Sequence, residues 1–143
     1  MLKNIHPLLT PALLRELAAM GHGDTIAVCD ANFPAYSIAG PRPLVHLPGC
    51  GTIEVLLAIV SVLPLDTFDG SPVLRMQQVG DANTLPEIQR EALEAVFSKI
   101  DPLPEVGSLE RFAYYARAKS AVALVVTGEM KPYGNFLLRK GVL

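Results

Sequence analysis

The sequence predicts an α/β fold, a single three-layer α/β/α domain over residues 1–143 with a central, largely parallel or mixed sheet. Two β-branched and apolar runs without alternation, Thr25–Cys29 and Ala121–Val126, read as strands covered on both faces. Amphipathic helical segments alternate with such runs, the order expected of a sheet packed between helices. Half of the 143 residues are apolar, which is ample for a core, and no linker, repeat or low-complexity tract divides the chain.

The elements follow in order. Thr10 can cap a first helix with Pro11 in its first turn and Leu13, Leu14, Leu17 and Ala18 on one face, and Gly21 is expected to supply a left-handed stop. The strand Thr25–Cys29 ends at Asp30. Residues 34–51, rich in Pro and Gly, read as a loop leading to a buried helix that starts near Thr52. Pro72 to Val79 reads as a strand, and Thr84 with Glu87 as a capping box for a helix carrying Ile88, Ala92, Leu93, Val96, Phe97 and Ile100. Ser108 is expected to cap a helix through Arg111, Tyr114, Tyr115 and Ala118. The strand Ala121–Val126, the loop 128–135 and a short terminal strand near Phe136 to Arg139 complete the chain.

Composition removes several classes of function. A formal charge of -2 and a pI near 5.9 offer no basic field, so nucleic acid is not expected as a partner. Two cysteines, Cys29 and Cys50, make no disulfide scaffold, and neither a zinc-ligand cluster nor HxH or HxxxH spacing appears; no metal or cofactor is expected. The first residues lack a signal peptide, and Ile53–Leu63 spans roughly half of the ~20 residues a membrane crossing needs, so a cytoplasmic protein with no membrane partner is expected. A mean hydropathy of +0.35 with 18% charged residues suggests apolar surface hidden between subunits, hence a homo-oligomer.

Three segments could carry chemistry. Gly21-His22-Gly23-Asp24 runs from helix to strand, the reverse of a dinucleotide fingerprint, so a helix C-terminus lies beside it and phosphate binding is disfavoured. His22 there is either an exposed histidine in a helix stop or a proton carrier. Asp30 leaves a buried strand, where ligands of α/β sheets settle, and it can equally cap the next loop. Arg111 opposes the dipole at a helix start, which points to an external partner such as Asp30, a ligand oxygen or Glu110 of another subunit, or to a solvated surface side chain. In the turn Tyr133-Gly134-Asn135, a hydroxyl and an amide can both donate and accept, as sugar hydroxyls require, and a plain turn uses the same residues.

Taken together, Gly21-His22-Gly23-Asp24, Cys29-Asp30 through Pro34, Arg111 through Tyr115, and Thr127-Gly128-Glu129 with Tyr133-Gly134-Asn135 resemble the fucose mutarotase and ribose pyranase family, on the fucose side. The ribose branch typically has a histidine segment where Arg111 lies and Tyr-Ala-Asn at 133–135. The resemblance implies a cofactor-free sugar mutarotase that interconverts the α and β anomers of a free monosaccharide, L-fucose. It implies proton transfer at His22 and sugar binding by Asp30, Arg111, Tyr133, Gly134 and Asn135. It further implies a toroidal assembly, commonly a decamer, with sites near subunit interfaces. The match is poorest over 41–50. D-ribose pyranase activity and a non-catalytic monosaccharide-binding module are the alternatives.

Overall fold

The computed structural model describes residues 1–143 and contains six strands and five α-helices: α1 Pro11–Ala19, β1 Thr25–Cys29, α2 Ala35–Ala39, β2 Leu44–Leu47, α3 Thr52–Val60, β3 Val73–Met76, α4 Glu87–Ala95, β4 Val106–Leu109, α5 Arg111–Ala118, β5 Ala123–Thr127 and β6 Phe136–Arg139. A short 3-10 turn, Phe97–Lys99, follows α4. The strands form one sheet in the order β2-β5-β1-β6-β3-β4. β1 pairs parallel with β5, β2 with β5 and β3 with β4, whereas β6 runs antiparallel to both β1 and β3. The sheet is therefore mixed: five strands point one way and β6 alone points the other.

Alternation along each strand divides the core into two layers. Ile26 and Val28 of β1, Ala123 and Val125 of β5, and Phe136 and Leu138 of β6 pack with Leu13 and Leu17 of α1, Val55, Leu56 and Ile59 of α3, and Ala92 of α4. Ala27, Cys29, Leu124 and Leu137 face the other way, against Ala35 and Ala39 of α2 and Tyr114 and Ala118 of α5. The apolar runs lacked alternation because both faces of the central strands are covered.

Several local expectations need correction. The segment 34–51 is not a bare loop but holds α2 and the edge strand β2. Gly21 is not the left-handed stop of α1; Met20 ends the helix in an extended conformation, and Gly23 carries the positive φ of 86°. Thr84 does not cap α4, because its hydroxyl is spent on the Asp81 carboxylate and Pro86 takes the cap position. Ser108 lies inside β4, where its hydroxyl accepts from Gln77 Nε2 at 2.9 Å. Glu110 caps α5 instead, its carboxylate accepting from the amides of Phe112 and Ala113. The Thr10 cap of α1 is present, the hydroxyl accepting from Leu13 N at 3.3 Å.

Candidate functional site

The carboxyl ends of the five parallel strands and the amino end of β6 lie at one edge of the sheet, and a pocket of about 230 Å³ opens there. Asp30 enters it from the end of β1, Arg111 from the start of α5, and Tyr133 and Asn135 from the turn before β6. Phe33, Met76 and Tyr115 add apolar walls. Open α/β sheets place ligands at this edge because the loops leaving the strands diverge there.

Asp30 and Asn135 form the floor. Asn135 Oδ1 accepts from Asp30 N at 3.0 Å, so its Nδ2 must point to the Asp30 carboxylate, which it reaches at 2.8 Å. The amide of Asn32 donates to the other Asp30 oxygen at 3.0 Å, and the amides of Phe33 and Gly134 also support the carboxylate. Burial pushes the Asp30 carboxyl above the ordinary aspartate range, and these hydrogen bonds oppose the rise. All the donors are neutral, so no cation offsets the cost of burying the charge.

The turn is held in an unusual shape. Tyr133 has φ of 69°, a left-handed conformation that costs a non-glycine residue roughly 1–3 kcal/mol. The Tyr133 hydroxyl accepts from Val79 N at 3.2 Å. Gly134 is required by space: a Cβ there would meet Thr52 Oγ1 at 2.9 Å, Glu129 Cγ at 3.1 Å and Asp30 Cβ at 3.3 Å. Across the pocket, Arg111 Nε is buried with no hydrogen-bond partner, while the guanidinium carbon lies 4.6 Å from the Phe112 ring centre. Glu110 is occupied as the helix cap, so it does not satisfy Arg111 within the chain.

His22 is not part of this pocket in the same chain. It precedes β1, whose five residues span roughly 17 Å, and so lies at the opposite edge of the sheet from Asp30. Its Nε2 lies 3.2 Å from Asp66 Oδ1, its ring meets Phe68 edge-on at 5.7 Å, and 48% of its side chain is exposed. Asp66, only 3% exposed, also accepts from Phe68 N at 3.0 Å and approaches Arg139 Nε at 2.9 Å. The Phe68 amide, the His22 side chain and the Arg139 cation hold the Asp66 carboxyl below its ordinary range. A larger cleft of about 500 Å³ adjoins Asp66, but that carboxylate is already committed to internal partners.

Four of the predicted residues thus line one pocket, with Gly134 beneath them, and His22 stands apart. Sequence reading missed Asp66, 44 residues from His22 with no motif to join them, and also Asn32 and Met76. Asp24, the carboxylate nearest His22 in sequence, instead accepts from Gly21 N at 2.7 Å.

Known proteins resemble the chain in sequence and fold. Residues 3–143 match the model of the RbsD / FucU transport protein family. The chain is 42% identical over 142 residues to the L-fucose mutarotase of Haemophilus influenzae (strain 86-028NP), covering 99% of this chain and 97% of that protein. A crystal structure of the fucose mutarotase of Streptococcus pneumoniae in complex with L-fucose superposes with a TM-score of 0.88 at 35% identity, covering 99% of each chain. RbsD of Bacillus subtilis, solved in complex with D-ribose, gives 0.75 at 25% identity, covering 100% of this chain and 99% of its own.

Proposed function

The chain belongs to the RbsD / FucU transport protein family, and on that premise we propose that it interconverts the α and β anomers of L-fucose by cofactor-free acid-base ring opening. The observation that carries this reading is the pocket at the carboxyl edge, where Asp30, Arg111, Tyr133 and Asn135 converge from distant segments. A carboxylate, a cation, a hydroxyl and an amide together match the mixed donors and acceptors of a neutral sugar. The fit of Gly134 favours the fucose branch over ribose, because an alanine there would press on Thr52 and Glu129.

Mutarotation needs a proton removed from the anomeric hydroxyl and another delivered to the ring oxygen. The bond between the anomeric carbon and the ring oxygen then breaks to give the open aldehyde. Rotation about the adjoining carbon–carbon bond and re-addition of the hydroxyl to the other face reverse both transfers, with no net loss of protons. His22 carries these protons; a positioned imidazole contributes roughly 10²- to 10⁴-fold to such a step. Asp30 holds a sugar hydroxyl at the floor with Asn135 beside it, Arg111 fixes ring oxygens, and the Tyr133-Gly134 turn bounds the other side.

Since His22 lies at the far edge of its own sheet, the imidazole comes from a second copy, in a ring-like homo-oligomer such as a decamer. Apolar side chains left exposed at both edges support association: Phe68 (71%) beside His22, and Val79 (57%) and Phe112 (63%) beside the pocket. The test is saturation transfer between anomeric protons by NMR, with purified protein added to equilibrium L-fucose and, separately, D-ribose. Faster exchange of L-fucose is expected. Acceleration of D-ribose alone would move the protein to the pyranase branch, and sugar binding without acceleration would make it a binding module.

A further inference from the structure

We infer that Gln89, a residue outside the pocket, is the positioning residue for the sugar-binding turn, clamping Tyr133-Gly134-Asn135 through its side-chain amide. The inference rests on the proposed role of that turn. Gln89 lies in the first turn of α4 next to the buried Ile88 and the exposed Glu87 and Arg90, and it is completely buried although polar. A polar side chain buried in this way must have its groups satisfied, and here each one is.

Gln89 Nε2 donates to Met76 O at 2.7 Å and to Tyr133 O at 2.9 Å, and its Oε1 accepts from Arg75 Nη1 at 3.1 Å. The two carbonyls can only accept and the guanidinium can only donate, so the amide has one possible orientation. The position needs two donors and one acceptor on one planar group. Glutamine supplies them; an ionised carboxylate has no donor, and an ammonium has no acceptor.

The carbonyls it joins are informative. Met76 is a wall of the pocket at the end of β3, and Tyr133 is the residue held at positive φ. One amide therefore ties the β3 wall to the strained turn, and the turn in turn presents Asn135 to Asp30. Strained backbone persists only where its surroundings over-determine it. Lys131, at the other side of the same loop, reaches Glu87 and Glu91 of α4 at 2.8 Å each, so the helix holds the loop at two points.

Gln89→Glu replaces both donors with acceptors at constant shape. The only charged group facing this position is Arg75 of β3; the other two partners are carbonyls, and Glu87, Lys131 and Glu91 are paired with one another on the exposed side of α4. Against wild type at neutral pH, the variant is expected to raise KM for L-fucose about tenfold or more while kcat changes less than threefold. The KM ratio should shrink as pH falls toward 5, because a protonated carboxyl regains one donor. Gln89→Met, which removes the donors without adding charge, should show a raised KM with no such pH dependence.

Hydrogen exchange of the segment 130–136, measured at one pH in the same proteins, reads the clamp without reference to any sugar and should be faster in both variants. Unchanged protection there, or a lower melting temperature with a wild-type KM, would overturn the assignment. A wild-type protein that accelerates no anomer exchange would instead sink the proposed function, and the exchange measurement would still decide whether Gln89 holds the turn.

Discussion

Asp30, at the carboxyl edge of the sheet, and Asp66, at the amino edge, are almost equally excluded from solvent, at 4% and 3% exposure, yet their proton affinities move in opposite directions. Asp30 is surrounded by neutral amides, so desolvation wins and its carboxyl rises. Asp66 has the Phe68 amide, His22 and Arg139 as partners, so its carboxyl falls. Burial weighs most on Asp30, whereas the hydrogen bond from the Phe68 amide weighs most on Asp66. The pocket edge holds its carboxylate among neutral amides, whereas the far edge places its carboxylate beside a cation and an imidazole that still has nearly half of its surface free.

The strongest way to break this comparison is to separate the two edges genetically. His22→Ala is expected to reduce catalysed anomer exchange by roughly 10²- to 10⁴-fold with folding intact, and Asn135→Ala to abolish sugar binding at ordinary concentrations. If the edges of different copies meet, random co-assembly of these two inactive variants should restore about a quarter of wild-type sites, because each site draws one edge from each neighbour. No recovery in mixed assemblies would mean that His22 and the pocket do not cooperate between copies.

A smaller effect concerns stability. Asn135→Ala also leaves Asp30 buried without its amide partner, and should cost about 1–3 kcal/mol by denaturant unfolding. A cost near zero would mean that water replaces the lost amide easily and that the floor of the pocket is less rigid than its geometry implies.

The acid dependence of stability sharpens the contrast further. A carboxyl raised in the folded state stabilises below its unfolded pKa of about 3.9, and that contribution is lost as pH climbs through the raised value. Asp30→Asn should therefore flatten the fall in melting temperature on the alkaline side of that point. A carboxyl lowered in the folded state acts in reverse, its contribution present above about 3.9 and lost as pH falls through the depressed value. Asp66→Asn should remove the part of the acid denaturation that lies below pH 4. Identical slopes in the two variants would remove the distinction between the edges.

The parts of the fold legible in the sequence were those with two neighbours. β1, β5 and β6 occupy the middle of the sheet, and their apolar runs announce burial on both faces. The strands that escaped notice, β2 and β4, are its two edges. Each is four residues long with one pairing partner, and β4, reading Val-Gly-Ser-Leu, is only half-buried along its whole length. Too little of an edge strand is covered to impose a pattern on so short a stretch. The same reasoning applies to the site: Asp30, Arg111, Tyr133 and Asn135 stand where local signals end, at a strand terminus, a helix start and a turn. Asp66 and Gln89 act across 44 residues each, and nothing adjacent to them in the chain betrays their partners.

β6 joins these two regions more tightly than any side-chain contact. Asn135 immediately precedes it and Arg139 ends it, so one short antiparallel strand begins at the pocket and finishes beside Asp66. A slip of one residue against β1 would rotate Phe136 and Leu138 out of their layer, and would take Asn135 from Asp30 and Arg139 from Asp66 in the same movement. Neither edge can be retuned by shifting this strand without disturbing the other: a single pairing register calibrates both.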